Sequence, residues 1–189
     1  VGTESNGQGH ETTFKQIAST RLGVPIKTLD YIQADTEQVS IGFGHGGARS
    51  MHMGAGTMAL AIDSAIKKAA SVAAILLQTE ERELSFEKGL FSTNMDERSI
   101  SIGEVALAAR NPDIGTGFGE NGIDTFYKRE EAPFTFPNGC HAAEVEIDPD
   151  TGSISLINYV MVDDYGSLVN PVLTDGKLHG GVAQGIGQA

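Results

Sequence analysis

Apolar positions change period several times along the chain, and each change marks an element. In Glu11–Leu22, Phe14, Ile17, Ala18 and Leu22 share a helical face, and Gly23-Val24-Pro25 stops the run. Thr28–Ala34 alternates as a short strand, and Ile41–Ser50 is a glycine loop. The longest periodic run spans Met51–Gln78. Met58, Ile62, Ala65, Ile66, Ala69, Val72, Ala73 and Leu76 repeat at helical spacing, with Asp63, Lys67, Lys68 and Ser71 off the stripe. Leu84–Ser92 and Ser99–Ile102 read as strands, and Glu104–Ala109 as a short helix ended by Asn111-Pro112. Gly115–Gly122 is a second glycine-rich loop. Phe134–Phe136 leads into a hairpin of Ala143–Ile147, the turn DPDTG and Ser153–Val162; Pro171 opens a last helix. Helices and strands mix without a βαβ rhythm, so the expected class is α+β. The expected halves are residues 1–112, with two glycine loops and the long helix, and 113–189, with the hairpin and the C-terminal helix.

Composition sharpens this picture in one place. Glycine numbers 24 of 189 residues, about 13% against an average near 7%, and it clusters at 2–9, 42–56, 115–122 and 176–187. Clustered glycine between periodic segments marks backbone held at positive φ or pressed close to something. A net charge of −12 argues against a nucleic-acid or anionic-membrane partner. No apolar run reaches membrane-spanning length, and the lone Cys140 suits a reducing, cytoplasmic setting. The chain starts at Val1 rather than methionine and stops in the small-residue run GVAQGIGQA, so both ends read as cuts in a longer protein.

Most short motifs have plainer explanations. Gly42-x-Gly44-x-x-Gly47 and Gly117-x-Gly119-x-x-Gly122 both match a dinucleotide fingerprint, but Thr36–Ser40 intervenes before the first, and Asp63, at about the right count, sits inside the long helix. Asp150-Thr151-Gly152 matches an aspartic-protease triplet, yet Pro149 and Gly152 between two alternating runs make it a turn. His10, His45, His52, His141 and His179 lack zinc-ligand spacing. Cys140 has only His141 as a neighbouring base, and in a strand the two side chains point apart. Two stretches resist dismissal: NGQGHE before the first helix, and GHGGARSMHMG before the longest. Each sets bare N–H groups at a helix start, where an anion fits, and Gln8 and Arg49 add polar side chains.

GTESNGQGHETTFKQIASTRLGVP, GFGHGGARS, FPNGCHAAEVEIDPDTG, VDDYGSLVNP and DGKLHGGVAQGIGQA, in this order, resemble the large subunit of the molybdenum hydroxylases. That family includes xanthine dehydrogenase, aldehyde oxidoreductase and the aerobic carbon monoxide dehydrogenase large chain, the branch the chain resembles most. The resemblance implies a two-layer α/β cofactor-binding domain, a mixed sheet with packed helices. It implies molybdopterin carrying molybdenum, in the cytosine dinucleotide form. Asn6, Gly7, Gln8 and Gly9 would run along the pterin. His45, Gly46, Gly47, Ala48, Arg49 and Ser50 would line the cofactor and its pyrophosphate. The implied reaction oxidises an aldehyde, a purine-like heterocycle or carbon monoxide by attack of metal-bound hydroxide and hydride transfer. The implied partners are iron–sulfur and FAD subunits or domains.

Three departures stand out. Ala48 lacks the hydroxyl that many members carry; Lys177 replaces the glutamine of a DGQ motif; Tyr165 replaces a small residue or cysteine. A lysine offers a phosphate a point charge but not an amide's donor–acceptor pair. The family's catalytic glutamate belongs to a Gly-Glu motif downstream of Ala189. No catalytic residue or side-chain metal ligand is therefore expected here, and the chain alone is expected to be inactive. Other readings are a non-enzymatic domain that has lost the cofactor and acts in binding or assembly, and a generic phosphate-binding domain. Apolar faces left open at the ends also predict self-association or disorder there. Val145, Ile147, Ile154 and Leu156 of the hairpin are expected to share a core with Ile62, Ile66 and Leu76.

Overall fold

The computed structural model describes residues 1–94, 96–114, 121–132 and 134–189. Gly115–Glu120, most of the second glycine loop, lie outside the described residues. Two compact units emerge, Val1–Pro133 and Phe134–Ala189.

In the first unit, helix α1 covers His10–Leu22. Gly23 ends it in the left-handed conformation (φ 65°), returning its N–H to the Ser19 carbonyl at 2.9 Å. Of the expected face, Phe14 is fully buried and Leu22 packs on the main core. The expected strand at Thr28–Ala34 is instead a 3-10 turn, Ile26–Thr28, followed by unpaired extended chain. Its alternation serves packing rather than a ladder. The Tyr31 ring meets Phe14 at 5.6 Å, and the Val1 ammonium donates to the Ile32 carbonyl at 2.7 Å.

Helix α2, Gly56–Leu76, begins later than expected because Ser50–Ala55 forms a wider, π-type turn first. The Arg49 carbonyl accepts from both Met53 N–H (2.9 Å) and Gly54 N–H (3.2 Å). Strands β1 (Leu84–Glu87), β2 (Leu90–Thr93) and β3 (Ser99–Ser101) form an antiparallel sheet. The single strand expected over Leu84–Ser92 is thus a hairpin. Lys88 (φ 50°) and Gly89 (φ 79°) turn it, a pair of positive φ values that fits the twist of two-residue hairpins. Helix α3, Ile102–Ala108, starts at a capping box in which Ser101 and Glu104 each bond the other's backbone N–H. Ala69, Val72 and Ala73 of α2, Phe91 of β2, Ile102 and Val105 of α3 and Ala109 make the core.

The chain stays with this unit past Pro112, beyond the boundary expected from the sequence. Thr125 Oγ1 donates to the Ala61 carbonyl (2.9 Å), and Lys68 Nζ donates to the Asp124 carbonyl (2.7 Å). These bonds tie residues 121–125 to α2.

The second unit holds strands β4 (Asn138–Ile147) and β5 (Ile154–Asp164), paired antiparallel with a register shift at Glu144/Val145, and helix α4 (Pro171–Gln188). The DPDTG segment is a turn: Asp148 Oδ1 accepts from Asp150 N–H (2.8 Å) and Thr151 N–H (3.3 Å), and Gly152 has φ 70°. Asn170 caps α4 by accepting from Leu173 N–H at 3.0 Å, with Pro171 in the first turn. The four hairpin residues expected in a shared core are not buried. Val145, Ile147, Ile154 and Leu156 are exposed, while Ile62 is buried and Ile66 and Leu76 pack within the first unit.

The class is α+β, and among the described residues the strands form a three-stranded and a two-stranded antiparallel sheet. Among the described residues no helix is long and apolar enough to cross a membrane.

Candidate functional site

The two glycine loops of the first unit lie side by side. One precedes α1 and carries Asn6, Gly7, Gln8 and Gly9; the other precedes the π turn and carries His45–Ser50. Between them Asn6 Nδ2 lies 3.3 Å from His45 Nε2, and Thr3 Oγ1 lies 3.0 Å from Ser50 Oγ. Behind them the backbones touch. Phe43 N–H donates to the Gly2 carbonyl at 3.0 Å. A Cβ on Gly2 would fall 2.2 Å from the Ile41 carbonyl oxygen, and one on Gly42 would fall 2.5 Å from the Gly2 carbonyl oxygen. Only glycine permits that approach.

The polar groups of the first loop are arranged by Gln8. Its Oε1 accepts from Asn6 N–H at 2.5 Å and from Ser5 Oγ at 3.2 Å. The carbonyl end of the amide is used internally, so the NH2 end is the one left to donate. Gly9 stands at the helix cap in the left-handed region (φ 75°), with no side-chain cap closing the first-turn N–H groups. Beneath it His10 is buried, its ring 5.4 Å from Phe14.

The second loop turns through three positive φ values: Gly44 (66°), Gly47 (75°) and Ala48 (54°). Arg49 folds back to donate from Nε to the Gly46 carbonyl at 2.5 Å, and its guanidinium forms no ion pair among the described residues. A Cβ on Gly46 or Gly7 would meet nothing within 4 Å, so both backbones face open space. With Asn6 donating from Nδ2, His45 Nε2 accepts, and the neutral ring carries its proton on Nδ1. That Nδ1 is buried and without a hydrogen-bond partner, as is His52 Nδ1 two residues past the loop. An orphaned donor beside a guanidinium without a carboxylate partner among the described residues, and open glycine backbone, fits an anionic, hydrogen-bonding ligand.

A cavity of about 360 Å³ adjoins the second loop, lined by Val39, Ile41, Phe43, Met53 and Met58, with Arg49 and Arg129 also in its wall. Arg129 Nη1 donates to the His52 carbonyl at 3.4 Å. On the other side lies Tyr31, whose phenol is pushed up to about 12 by burial and then by the Glu11 carboxylate, so it stays protonated.

The remaining sequence candidates belong to the second unit. Lys177 is exposed on α4 of the second unit, and Tyr165 is exposed after β5. Cys140 is exposed. His141 turns to Tyr159 Oη (Nδ1, 2.8 Å) and Asp163 (Nε2, 3.1 Å), both across the hairpin. Gly139 makes room for this, since a Cβ there would overlap the Asp163 carboxylate. Sequence reasoning missed Gly2, Thr3 and the Thr125–Arg129 wall. Gly2 and Gly42 carried a readable signal, each being the first member of a glycine cluster; the wall carried none.

The family described as a molybdopterin cofactor-binding domain matches residues 1–189. The chain belongs to that family. Over all of its length it is 31% identical to the carbon monoxide dehydrogenase large chain of Hydrogenophaga pseudoflava, covering 23% of that protein. It is 33% identical to the nicotine 6-hydroxylase large subunit of Paenarthrobacter nicotinovorans, over 98% of this chain and 23% of that one. The xanthine dehydrogenase molybdenum-binding subunit of Escherichia coli O157:H7 is 27% identical across the whole chain and 25% of its own length. The crystal structure of the Cu,Mo-CO dehydrogenase superposes with a TM-score of 0.82 at 30% identity, over 95% of this chain and 22% of that one. Quinoline 2-oxidoreductase from Pseudomonas putida 86 gives 0.80 at 31% identity, over 99% and 24%. The chain thus spans about a quarter of these relatives. The parent family is one of molybdenum oxidoreductases, and several of these relatives are named as a large chain or a subunit of their enzymes.

Proposed function

We propose that the two adjoining loops are one surface that holds molybdopterin, in its cytosine dinucleotide form. The observation that carries this is the contact of the loops through Asn6 and His45, which lets one elongated ligand touch both. Gln8 would present its amide N–H groups to the pterin, whose ring atoms include acceptors. Gly46 and Gly47 N–H groups, the Arg49 guanidinium and the Ser50 hydroxyl would take the pyrophosphate, and His45 Nδ1–H would gain the partner it lacks. Ala48 contributes backbone only. Lys177 is proposed as one further cation for the phosphates.

The cofactor, when bound, supplies the two-electron redox centre. This chain's residues bind and orient it, and none is assigned to the chemical step. The parent protein is proposed to oxidise an aldehyde, a nitrogen heterocycle or carbon monoxide, and to pass electrons to iron–sulfur and FAD subunits in the cytoplasm. By itself the chain is proposed to turn over none of these, since general-base help is worth roughly 10²–10⁴ in rate and no base is assigned here. The test is molybdenum and pterin content of the full-length protein made in a cofactor-producing host. Arg49→Met together with Gln8→Ala is expected to lower both several-fold without unfolding the chain. Unchanged content in the double variant would overturn the assignment.

A further inference from the structure

We propose that Thr3 is a positioning residue: its buried hydroxyl holds the Ser50 hydroxyl in the direction the phosphate needs and locks the two loops in register. This rests on the reading of the loops as one cofactor surface and goes beyond it, because the part given to Thr3 is to orient Ser50 rather than to hold the cofactor. It is 5% exposed and belongs to the wall of the cavity beside the second loop. Three observations fix it there. Its main chain is pinned by the bond from Phe43 N–H to the preceding Gly2 carbonyl and by the Gly2–Gly42 backbone contact. Its methyl group lies over Gly54, where a Cβ would come 2.7 Å from Thr3 Cγ2. Its hydroxyl lies 3.0 Å from Ser50 Oγ, across 47 residues of sequence.

A β-branched side chain has few χ1 choices, and with the methyl seated on Gly54 the hydroxyl points one way. Ser50 bears the sole side-chain hydroxyl of the loop His45–Ser50. Either oxygen of the pair can donate to the other. A phosphate oxygen only accepts, so it selects the arrangement in which Thr3 donates to Ser50 and Ser50 donates outward. Each bond then polarises the next.

The test uses the full-length protein isolated with its cofactor. Two quantities are read: the rate at which pterin and molybdenum are released, and the urea midpoint of the cofactor-free protein. Thr3→Val keeps the shape and removes the hydroxyl. It is expected to speed release about three- to tenfold, the span of one net hydrogen bond. Thr3→Ser keeps the hydroxyl and should release within about twofold of the parent rate, whatever its midpoint does. Ser50→Ala should match Thr3→Val, and the double variant should add little, since the two act through one bond. Release at the parent rate in Thr3→Val, with Ser50→Ala fast, overturns this inference and leaves the cofactor surface standing. Thr3→Ser as fast as Thr3→Val also overturns it, because packing on Gly54 would then carry the effect. Ser50→Ala at the parent rate contradicts both the Ser50 contact and the inference. If Thr3→Val does not fold, the pair Thr3→Ser and Ser50→Ala decides: parent-like and fast supports, equally fast overturns.

Discussion

The two units carry equally periodic sequences and bury very different amounts of them. In the first, a helix, a three-stranded sheet and a short helix close around Phe91, Val72 and Val105, each essentially inaccessible. In the second, none of residues 134–189 is buried, and Val145, Val160 and Val162 of the hairpin are more than half exposed. A two-stranded ribbon alone is marginal in water. Alternation therefore reports that a strand has two faces, not what covers them. The two glycine loops proposed to hold the cofactor belong to the unit that has its own core, which is the unit able to hold glycine backbone in fixed, close geometry.

The largest expected effect breaks this comparison directly. Phe91→Ala should cost about 3–5 kcal/mol, whereas Val160→Ala should stay within about 0.5 kcal/mol. Urea unfolding of the two variants checks it; similar losses would mean that the hairpin is covered after all.

Glycines at matching φ give a second contrast. Gly23 (φ 65°) packs so that a Cβ would lie 2.1 Å from Gly89 N, while Gly152 (φ 70°) has nothing within 4 Å. Gly23→Ala should cost about 2–5 kcal/mol, strain plus overlap, and Gly152→Ala about 1–2 kcal/mol, strain alone. Equal midpoints in thermal melts would contradict the close approach of α1 to the β1–β2 turn. Smaller still, Ser101→Ala should remove about 0.5–2 kcal/mol by opening the capping box of α3.

The mildest effect is on titration. Asp96 in the first unit is held below the usual carboxylate range by the Thr93 hydroxyl and then by Arg98 N–H. Asp148 in the second is held low by Asp150 N–H and then by Thr151. A carboxyl whose folded value is depressed adds stability that is complete above the unfolded value, about 3.9, and is lost as pH falls through the folded one. Carboxyl NMR titrations should place both midpoints below that value. Thr93→Val should raise the Asp96 midpoint and leave Asp148 unchanged; a shift in both would contradict independent local causes.

Much of the fold was legible because local rules coincided with packing. Gly23-Val24-Pro25 stopped α1, the DPDTG turn closed the hairpin, and Pro171 opened α4. Failures came where a partner decided the outcome. The alternation at Thr28–Ala34 found no strand to pair with, and Lys88-Gly89 hid a turn inside an apolar run. The π turn at Ser50–Ala55 arises where Gly54 meets Thr3 and Phe14, residues far away in sequence. The glycine loops were visible as clusters, each placed before a helix. Thr3 was invisible, because a single buried hydroxyl leaves no periodic trace.

The central claim is that both loops form one cofactor surface. Hydrogen exchange on the full-length protein, with and without bound molybdopterin, tests it most directly. Amides of residues 6–9 and 45–50 are expected to slow together when the cofactor is bound, while those of β1–β3 stay unchanged. Protection of one loop alone, or of neither, would contradict the account.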